Sequence, residues 1–323
     1  MKNILLLDTS IGSLNKGDDI IMECVREELD FIFNKNFVLN VPTHLSPFHF
    51  YQVVRNSLRV QIYKNAYLKF VGGTNLLIPN LLTHFPQWNL NVFNYKPLAG
   101  CILVGVGAGA GIKSNYYTKF MYNKLLNKNY FHSVRDERSK KILENYGLKA
   151  INTGCVTMWK LTPDFCKQIP IKKSNNVVFT LTAKNNADLR DQKLIDILIK
   201  NYNKVYFWPQ GIDDFSYLKK FNNISNIIVI DSSLKAYREI LNQPDIEYIG
   251  TRLHGGVYAM RHKKRAIIIA IDERAREINK CNNLNCIEKE DIDKLEDFIN
   301  QNIITEIRMP FKEISSWKNQ FIS

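Results

Sequence analysis

The feature that most constrains the fold is an alternation of short apolar runs with amphipathic stretches, repeated in two series along 323 residues. The first series contains the runs NILLLD, YLKFVGG, CILVGVG, FHSV and LKAINTGC. The second contains NVVFT, VYFWPQG, NIIVI, IEYIG and AIIIAI. Apolar strands that alternate with helices are typical of parallel sheets. The sequence therefore predicts an α/β fold.

The chain is long for a single hydrophobic core, and the periodicity is interrupted by TPDFCKQIPIKKSNN between the two series. We predict two Rossmann-like domains facing a cleft, with residues 1–165 in the first and 166–323 in the second. The last segment is helical, and we expect that it can cross back to the first domain.

The composition narrows the classes of partner. The net charge is +13, with lysine spread through the chain, which favours an anionic small substrate, an anionic membrane surface or nucleic acid. The sequence has no recognised nucleic-acid motif and no apolar run of membrane-spanning length. The N-terminal apolar run is too short for a signal peptide, so we expect a cytoplasmic protein, with loose contact to the inner membrane face as one option.

The six cysteines are scattered without a C-x-x-C spacing or adjacent histidines. Neither a zinc site nor a disulfide framework is expected, and buried free thiols are the simpler interpretation.

Ligands of open parallel sheets bind at the carboxyl ends of the strands, so motifs at strand-to-helix turns are the candidates. The first is GSLNKGDD, with Asn15, Gly17 and Asp18 before a predicted helix. A helix N-terminus offers free N–H groups to an anion. An ordinary capped loop would explain the same residues.

Two glycine-rich strand ends follow, VGGTNLL with Gly73 and GVGAGAG over residues 105–111. Neither has the dinucleotide-binding spacing. They predict either close backbone packing or a backbone floor for a sugar or phosphate.

In SVRDERS, Arg135 ends a predicted strand and presents a fork suited to phosphate or carboxylate. A salt bridge to Asp136 or Glu137 is the alternative, although we expect those carboxylates to point elsewhere.

The stretch GTRLHGG places Arg252 and His254 two residues apart, on one face of an extended segment. Gly255 and Gly256 would leave room for a ligand over the next helix. Together these residues predict an anion site with a proton-transfer group beside it. A structural histidine that caps the helix is the alternative.

Two further strand ends add candidates. In IAIDERAREI, Asp272 and Arg274 follow an apolar strand, and in FWPQG, Gln210 ends another. An ordinary turn explains Gln210 equally well.

Taken in order, these motifs resemble the polysaccharide pyruvyl transferase family. The resemblance rests on NKGD, GG, GVGAG, SVRD, TGC with a following tryptophan, WPQG, GTRLHGG and IAIDERAREI, which together span residues 12 to about 278. Two departures are visible: Arg274 stands where lysine is frequent, and Cys155 stands where many members carry aspartate.

The resemblance implies a two-domain arrangement similar to GT-B glycosyltransferases and transfer of pyruvate from phosphoenolpyruvate to two sugar hydroxyls, forming a ketal. It assigns donor binding to Arg135 and Arg252 and the essential histidine to His254. We add Gly255, Gly256 and Arg274 to the donor site. Asp18 or Asp272 could be the second acid or base, or could orient the acceptor sugar, and we choose Asp18 as the catalytic candidate. Asn15, Gly17, Gly73, Gln210 and Asp272 are the acceptor-side candidates.

No metal or other cofactor is expected, because the chemistry needs only an acid and a base besides phosphoenolpyruvate. The expected partners are the donor and a sugar or lipid-linked oligosaccharide acceptor. A glycosyltransferase that uses a nucleotide sugar and a non-catalytic subunit that binds carbohydrate or anions are the two alternatives.

Overall fold

A computed structural model describes residues 1–82, 87–109 and 114–322, and leaves the side chains of Glu273 and Arg274 undescribed. The chain forms two compact units. Unit 1 comprises Met1–Ser13, Ile21–Trp159 and Pro310–Ser323, and unit 2 comprises Leu14–Ile20 and Lys160–Met309. The predicted boundary was between residues 165 and 166, whereas the main passage between the units lies between Trp159 and Lys160. Two short segments also exchange units: residues 14–20 belong to unit 2, and the C-terminal helix belongs to unit 1.

Every paired strand is parallel to its neighbour. The strands are β1 (Asn3–Asp8), β2 (Phe37–Pro42), β3 (Leu68–Gly72), β4 (Cys101–Val104), β5 (His132–Val134), β6 (Ala150–Asn152), β7 (Asn176–Thr180), β8 (Lys204–Phe207), β9 (Ile227–Val229), β10 (Ile246–Gly250), β11 (Ala266–Ala270) and β12 (Cys286–Glu288). Unit 1 has a sheet of order β2-β1-β3-β4 and the pair β5-β6, and unit 2 has a sheet of order β12-β11-β10-β7-β8-β9. The predicted α/β class with two parallel-sheet units is confirmed.

Helices connect the strands throughout. They are α1 (Gly17–Glu28), α2 (Asp30–Phe33), α3 (Phe50–Val54), α4 (Leu58–Lys64), α5 (Tyr116–Leu125), α6 (Glu137–Asn145), α7 (Pro163–Cys166), α8 (Leu189–Asn201), α9 (Asp214–Leu218), α10 (Leu234–Leu241), α11 (Leu253–Arg261), α12 (Glu273–Asn282), α13 (Leu295–Asn300) and α14 (Phe311–Asn319). Short 3-10 helices cover Lys96–Leu98, Val156–Met158, Ile224–Asn226 and Lys289–Lys294. None of the helices within the described ranges is long and apolar enough to cross a bilayer.

Each sheet buries its own apolar core. In unit 1, strand residues such as Leu5, Leu7, Val71 and Leu103 are fully buried together. In unit 2, the central strands contribute side chains such as Phe179, Phe207, Ile249 and Ile267. Continuous apolar strands of this kind are expected where both faces of a parallel sheet are covered.

The C-terminal helix α14 is fixed to unit 1 by Trp317, whose side chain is fully buried. Its indole Nε1 donates to the carbonyl of Phe131 at 2.8 Å, and its ring packs edge-on against Trp159. Lys318 on the same helix forms an ion pair with Glu28 at 2.6 Å. A buried aromatic anchor with its polar atom satisfied accounts for the return of the chain to unit 1.

Cysteines 24, 101, 155 and 166 are buried free thiols, as expected. Cys281 is exposed and Cys286 is partly exposed, so the expectation of burial is wrong for this pair. Cys281 lies near the end of α12, a helix whose buried residues among those described are Ala275 and Asn282.

The histidine of β5 is locked in its neutral form. The His132 ring is buried between β4 and β5, where Nδ1 accepts the Leu103 amide at 3.2 Å. Nε2 therefore carries the proton and donates to the Asn127 carbonyl at 2.9 Å. Burial lowers the pKa of His132 to about 4, against a partly compensating bond to that carbonyl. A charged ring would lose both its solvation and its acceptor role.

We expect unit 1 to lose stability as the pH falls below the ordinary histidine range. The folded pKa of about 4 lies below the unfolded value, so the unfolded chain binds the extra proton first. Between pH 7 and pH 5, His132 alone should cost about 2 kcal/mol of unfolding free energy. Urea unfolding at both pH values would measure this. His132→Asn should flatten the dependence, whereas His49→Asn, at an exposed helix cap, should not; equal slopes in all three proteins would contradict the assignment.

Candidate active site

The junction between β10 and α11 carries the arginine and histidine of the GTRLHGG motif. All five residues of β10 are buried, and Arg252 is the residue that precedes the first turn of α11. His254 is the second residue of the helix and is 7% exposed. The buried Tyr248 hydroxyl donates to the Arg252 carbonyl at 2.7 Å and contacts the Thr180 hydroxyl at 2.6 Å. Burial raises the pKa of Tyr248, so its phenol stays a donor that fixes the start of the helix.

The Arg252 guanidinium is held by a fully buried carboxylate, that of Asp214. Its Nη2 lies 2.5 Å from Asp214 Oδ1, and its Nε lies 3.1 Å from Oδ2. The same Nε also contacts the Leu181 carbonyl at 3.3 Å. The guanidinium is thus fixed in a two-point contact through Nε and Nη2, while its side chain remains 18% exposed.

Asp214 is itself held by two backbone amides. Gly211 N–H donates to its Oδ2 at 2.6 Å, and Ala183 N–H donates to its Oδ1 at 3.1 Å. A buried carboxylate requires such donors, because an unsatisfied charge would be costly. The pair of Arg252 and Asp214 is therefore a rigid unit that connects the ends of three strands.

Gly211 is required by this ion pair. A Cβ at position 211 would lie 2.4 Å from Arg252 Nη2 and 3.2 Å from both Asp214 oxygens. No side chain fits there unless the guanidinium moves. The glycine that ends the WPQG motif therefore serves the arginine of the GTRLHGG motif.

The NKGD loop meets the end of β8, although the two are far apart in sequence. Gln210 Nε2 donates to Asn15 Oδ1 at 2.9 Å, and the Lys16 amide donates to the Gln210 carbonyl at 2.8 Å. Asn15 Oδ1 also accepts the Gly17 amide at 2.9 Å. A Cβ on Gly17 would lie 2.9 Å from Gln210 Nε2, so glycine is needed for this approach.

The paired glycines of α11 also admit neighbouring groups closely. A Cβ on Gly255 would lie 3.0 Å from Gln210 Oε1 and 3.2 Å from the Tyr248 hydroxyl. A Cβ on Gly256 would lie 2.8 Å from the Ile268 side chain. The prediction that Gly255 and Gly256 leave room for a ligand is wrong at these positions, because protein atoms occupy the space beside both glycines. Their small size serves the packing of α11 onto the sheet.

An aromatic stack supports α11 from behind. The Tyr237 hydroxyl donates to the Gly255 carbonyl at 2.8 Å, and its ring stacks on Trp208 with centroids 3.9 Å apart. Both rings are fully buried. Burial raises the pKa of Tyr237 well above its usual range, so it too remains a donor.

The other predicted residues of unit 2 have defined places. Asp18 lies in the first turn of α1 and is largely buried, and its amide donates to the Asn15 carbonyl at 3.0 Å. Asp272 is exposed and caps α12, where its Oδ1 accepts the Ala275 amide at 2.8 Å. Arg274 lies in the first turn of α12, and its side chain is outside the described atoms.

Arg135 belongs to unit 1 and is also fixed by neighbours. Its Nη2 donates to Asn75 Oδ1, and its Nε lies 3.4 Å from Asp136 Oδ2. The expectation that Asp136 points elsewhere is therefore wrong, because this carboxylate both caps α6 and pairs with the arginine. Gly107 faces the guanidinium: a Cβ there would lie 2.3 Å from Arg135 Nε.

The glycine motifs of unit 1 converge around β4. A Cβ on Gly73 would lie 2.4 Å from the Gly105 carbonyl, so the two strand ends are in close backbone contact. Gly105 has a φ of +62°, and its amide donates to Ser133 Oγ at 2.8 Å. Cys155 is buried, with its Sγ 3.2 Å from the Thr157 hydroxyl. Residues 110–113, at the end of GVGAGAG, lie outside the described chain.

Sequence reasoning missed the residues that orient the two arginines, Asp214 and Asn75, and the supporting phenols of Tyr237 and Tyr248. Asp214 was detectable in part, because it follows the WPQG strand end by three residues. Asn75 follows Gly73 by two residues in the same way. Tyr248 lies in the strand run IEYIG and Tyr237 in the amphipathic helix segment LKAYREIL, so each looks like an ordinary core residue in the sequence.

Comparison with known proteins gives one family match. The model of the polysaccharide pyruvyl transferase family matches residues 15–273. No curated sequence matches significantly. Among solved structures, the chain is similar to UDP-GlcNAc 2-epimerase of Methanocaldococcus jannaschii in complex with UDP-GlcNAc and UDP, at 11% identity, covering 99% of this chain and 98% of that one with a TM-score of 0.48. The Neisseria meningitidis enzyme bound to UDP-GlcNAc gives 11% identity, 100% coverage of both chains and a TM-score of 0.49.

Gly211→Ala should destabilise unit 2, because the new methyl group displaces the guanidinium from Asp214. We expect a cost of about 1–3 kcal/mol, seen as a drop in Tm of roughly 2–4 °C per kcal/mol in a thermal melt. Gly109→Ala is the matched control, since the nearest atom to its Cβ is the Leu77 carbonyl oxygen at 4.0 Å. An unchanged Tm in Gly211→Ala would contradict this expectation, because it would show that Arg252 and Asp214 can shift to accommodate the methyl group.

Proposed function

Because the chain belongs to the polysaccharide pyruvyl transferase family, we propose that it transfers the pyruvyl group of phosphoenolpyruvate to two hydroxyls of one sugar, forming a cyclic ketal. The acceptor is a sugar of a cell-surface polysaccharide or of its lipid-linked precursor. The family match supports the transferase class, and the arrangement of unit 2 supports the choice of donor.

The observation that carries the proposal is the convergence of three motifs of unit 2. Asn15 and Gly17 meet Gln210, Gln210 meets Gly255, and Gly211 and Asp214 hold Arg252. An oriented guanidinium, a helix N-terminus and a largely buried imidazole lie within five consecutive residues at this point. These are the groups that an anionic donor and a proton transfer require.

The donor carries a phosphate and a carboxylate, so it needs at least two cations. We assign one anionic group to Arg252 and the amides at the start of α11, including that of Gly255. The Gly256 amide already donates to the Arg252 carbonyl at 3.2 Å, so we no longer assign it to the donor. Arg252 already gives Nε and Nη2 to Asp214, so Nη1 is the nitrogen that we assign to the donor. Arg274 is the further cation of unit 2 that we propose for the donor, and Arg135 stays the predicted anion-binding residue of unit 1.

The proposed chemistry balances without an oxidant or a reductant. A proton adds to the methylene carbon of phosphoenolpyruvate, and one sugar hydroxyl attacks C2 and loses its proton. The C2–O bond to phosphate then breaks, and the second hydroxyl attacks C2. One hydroxyl proton replaces the proton used at the methyl group, and the other leaves with phosphate.

We assign proton transfer to His254, because histidine is the side chain most often used for general acid–base catalysis and this one follows Arg252 by two residues at the start of α11. Asp18 is the carboxylate that we propose as its counterpart, on the first turn of α1. Asp18 is largely buried and belongs to the same unit as these motifs, which supports the choice.

Gln210 is our first choice for contact with the acceptor. Its Nε2 is used by Asn15, whereas its Oε1 is buried without a hydrogen-bond partner among the residues that the structure describes. Leaving a buried acceptor unsatisfied is costly, so we assign this oxygen to a sugar hydroxyl. Asn15 and Gly17 shape the acceptor side in this proposal, and Gly73 stays the predicted acceptor-side residue of unit 1. Asp272 is a weaker choice, because its carboxylate caps α12.

Donor identity is tested by thermal shift of the purified protein with phosphoenolpyruvate and with a panel of nucleotide sugars. We expect stabilisation by phosphoenolpyruvate alone, reduced at least about 10-fold in apparent affinity by Arg252→Ala or Arg135→Ala. Arg190→Ala removes another arginine that pairs with an aspartate in unit 2 and serves as the control. Stabilisation by a nucleotide sugar instead would identify a glycosyltransferase and overturn the proposal.

The role of His254 is tested by replacing it with asparagine, which keeps a polar side chain of similar reach. We expect turnover to fall about 100-fold or more, with little change in donor affinity, because proton transfer is lost and binding is not. Phosphate release from phosphoenolpyruvate, with hexopyranosides that carry free hydroxyl pairs, measures turnover. Unchanged turnover would exclude proton transfer by His254. Donor binding with no turnover in the wild type on any acceptor would favour a binding subunit.

A further inference from the structure

The positive charge of the chain is concentrated in one segment of unit 1. Residues 31–135 contain eleven Lys and Arg residues and neither Asp nor Glu, so they carry most of the net charge of +13. The expectation that the excess is spread through the chain is therefore wrong. The segment itself therefore supplies no carboxylate to its cations, and Arg135 at its end pairs with Asp136 just outside it.

The same segment exposes apolar side chains on two short helices and a neighbouring loop. Leu45, Phe50, Tyr51, Val54, Leu58 and Phe93 are each more than half exposed. None of the five residues of α3 is buried, and α4 buries Val60. Helices that bury so few side chains gain little stability from packing against the core.

We call these exposed side chains of α3, α4 and the neighbouring loops the α3–α4 surface. The rings of Phe50 and Phe93 are in edge contact with centroids 5.3 Å apart, which joins the loop at residue 93 to α3. Two exposed arginines lie beside these side chains in the sequence: Arg55 directly follows α3, and Arg59 lies in the first turn of α4. Exposed apolar residues with cations beside them are the pattern of a segment that lies in a membrane interface.

We propose that the α3–α4 surface binds a bilayer that contains acidic phospholipids. The apolar side chains would enter the boundary between headgroups and acyl chains, and the arginines would contact the anionic headgroups. The charge decides against a second copy of the chain, because two such surfaces would repel each other. The aliphatic residues decide against nucleic acid, which would cover rings and cations but leave Leu45, Val54 and Leu58 in water.

The proposal does not rest on the proposed function, since vesicle binding is measured without donor or acceptor. It would nevertheless place a transferase where lipid-linked sugars are found. Binding should weaken with salt, because part of the attraction is electrostatic and is screened.

The test is co-sedimentation with phosphatidylcholine vesicles, with and without phosphatidylglycerol. We expect the wild type to bind the mixed vesicles, and both Arg55→Glu/Arg59→Glu and Val54→Asp/Leu58→Asp to reduce binding at least about fivefold. The controls are Lys172→Glu/Lys204→Glu and Ile304→Asp, which change exposed residues of unit 2. They should bind like the wild type. Since all of the altered side chains are exposed, each variant should keep the wild-type Tm, which is measured alongside.

Three results would overturn the proposal. The first is equal binding by the wild type and both altered proteins, or no binding by any of them. The second is a dimer in light scattering that Val54→Asp/Leu58→Asp dissociates, which would assign the surface to a second copy. The third is binding to single-stranded RNA without binding to vesicles, which would assign it to nucleic acid.

Discussion

The buried contact between the Arg252 guanidinium and the Asp214 carboxylate determines the layout of the candidate site. Removing one partner would leave the other charge buried and unpaired, which costs far more than the net value of the pair. Asp214 therefore cannot vary without Arg252, and neither tolerates a side chain at Gly211. The ion pair connects the loop after β7, the end of β8 and the start of α11. A ligand that meets Arg252 meets a group whose orientation is already set, which lowers the entropy lost on binding.

Each unit fixes the orientation of one arginine side chain, and each uses different partner residues. In unit 1, Arg135 is held by Asn75 and Asp136 over Gly107, and in unit 2, Arg252 is held by Asp214 over Gly211. In both cases a glycine admits the flat guanidinium, and an oxygen from another strand end orients it. An alanine in place of either glycine would occupy the position of the arginine. This explains physically why glycine and arginine recur together in motifs that are distant in sequence.

Much of this was predictable. The apolar runs identified ten of the twelve strands because a buried parallel strand is apolar throughout, and β10 and β11 show this clearly. The strands β2 and β12 were not identified, whereas β9, which also lies at a sheet edge, was. The apolar run of β2 is interrupted by Asn40 and ends at Pro42, and β12 has only three residues, so neither stands out from the surrounding sequence.

The candidate site was predictable in its residues but not in their contacts. The rule that strand ends carry ligands selected Arg135, Arg252, His254 and Gln210. It gave no means to see that Asp214 would occupy two nitrogens of Arg252, or that Gly256 would face Ile268. Such contacts depend on which strands become neighbours, and strand order is a property of the whole sheet. The sequence also suggested that Asp272 faces a ligand, although its spacing to Ala275 is that of a helix cap.

The placement of residues 14–20 in unit 2 has a consequence for how the protein is made. Asn15 leaves the ribosome 195 residues before its partner Gln210. At ordinary rates of synthesis this interval is roughly 10–40 seconds, long enough for a domain of this size to fold. During that time the first strand can join the sheet of unit 1, while the NKGD loop has none of its contacts with Gln210. The NKGD loop can therefore form its contacts with Gln210 only after β8 and the residues that follow it have left the ribosome.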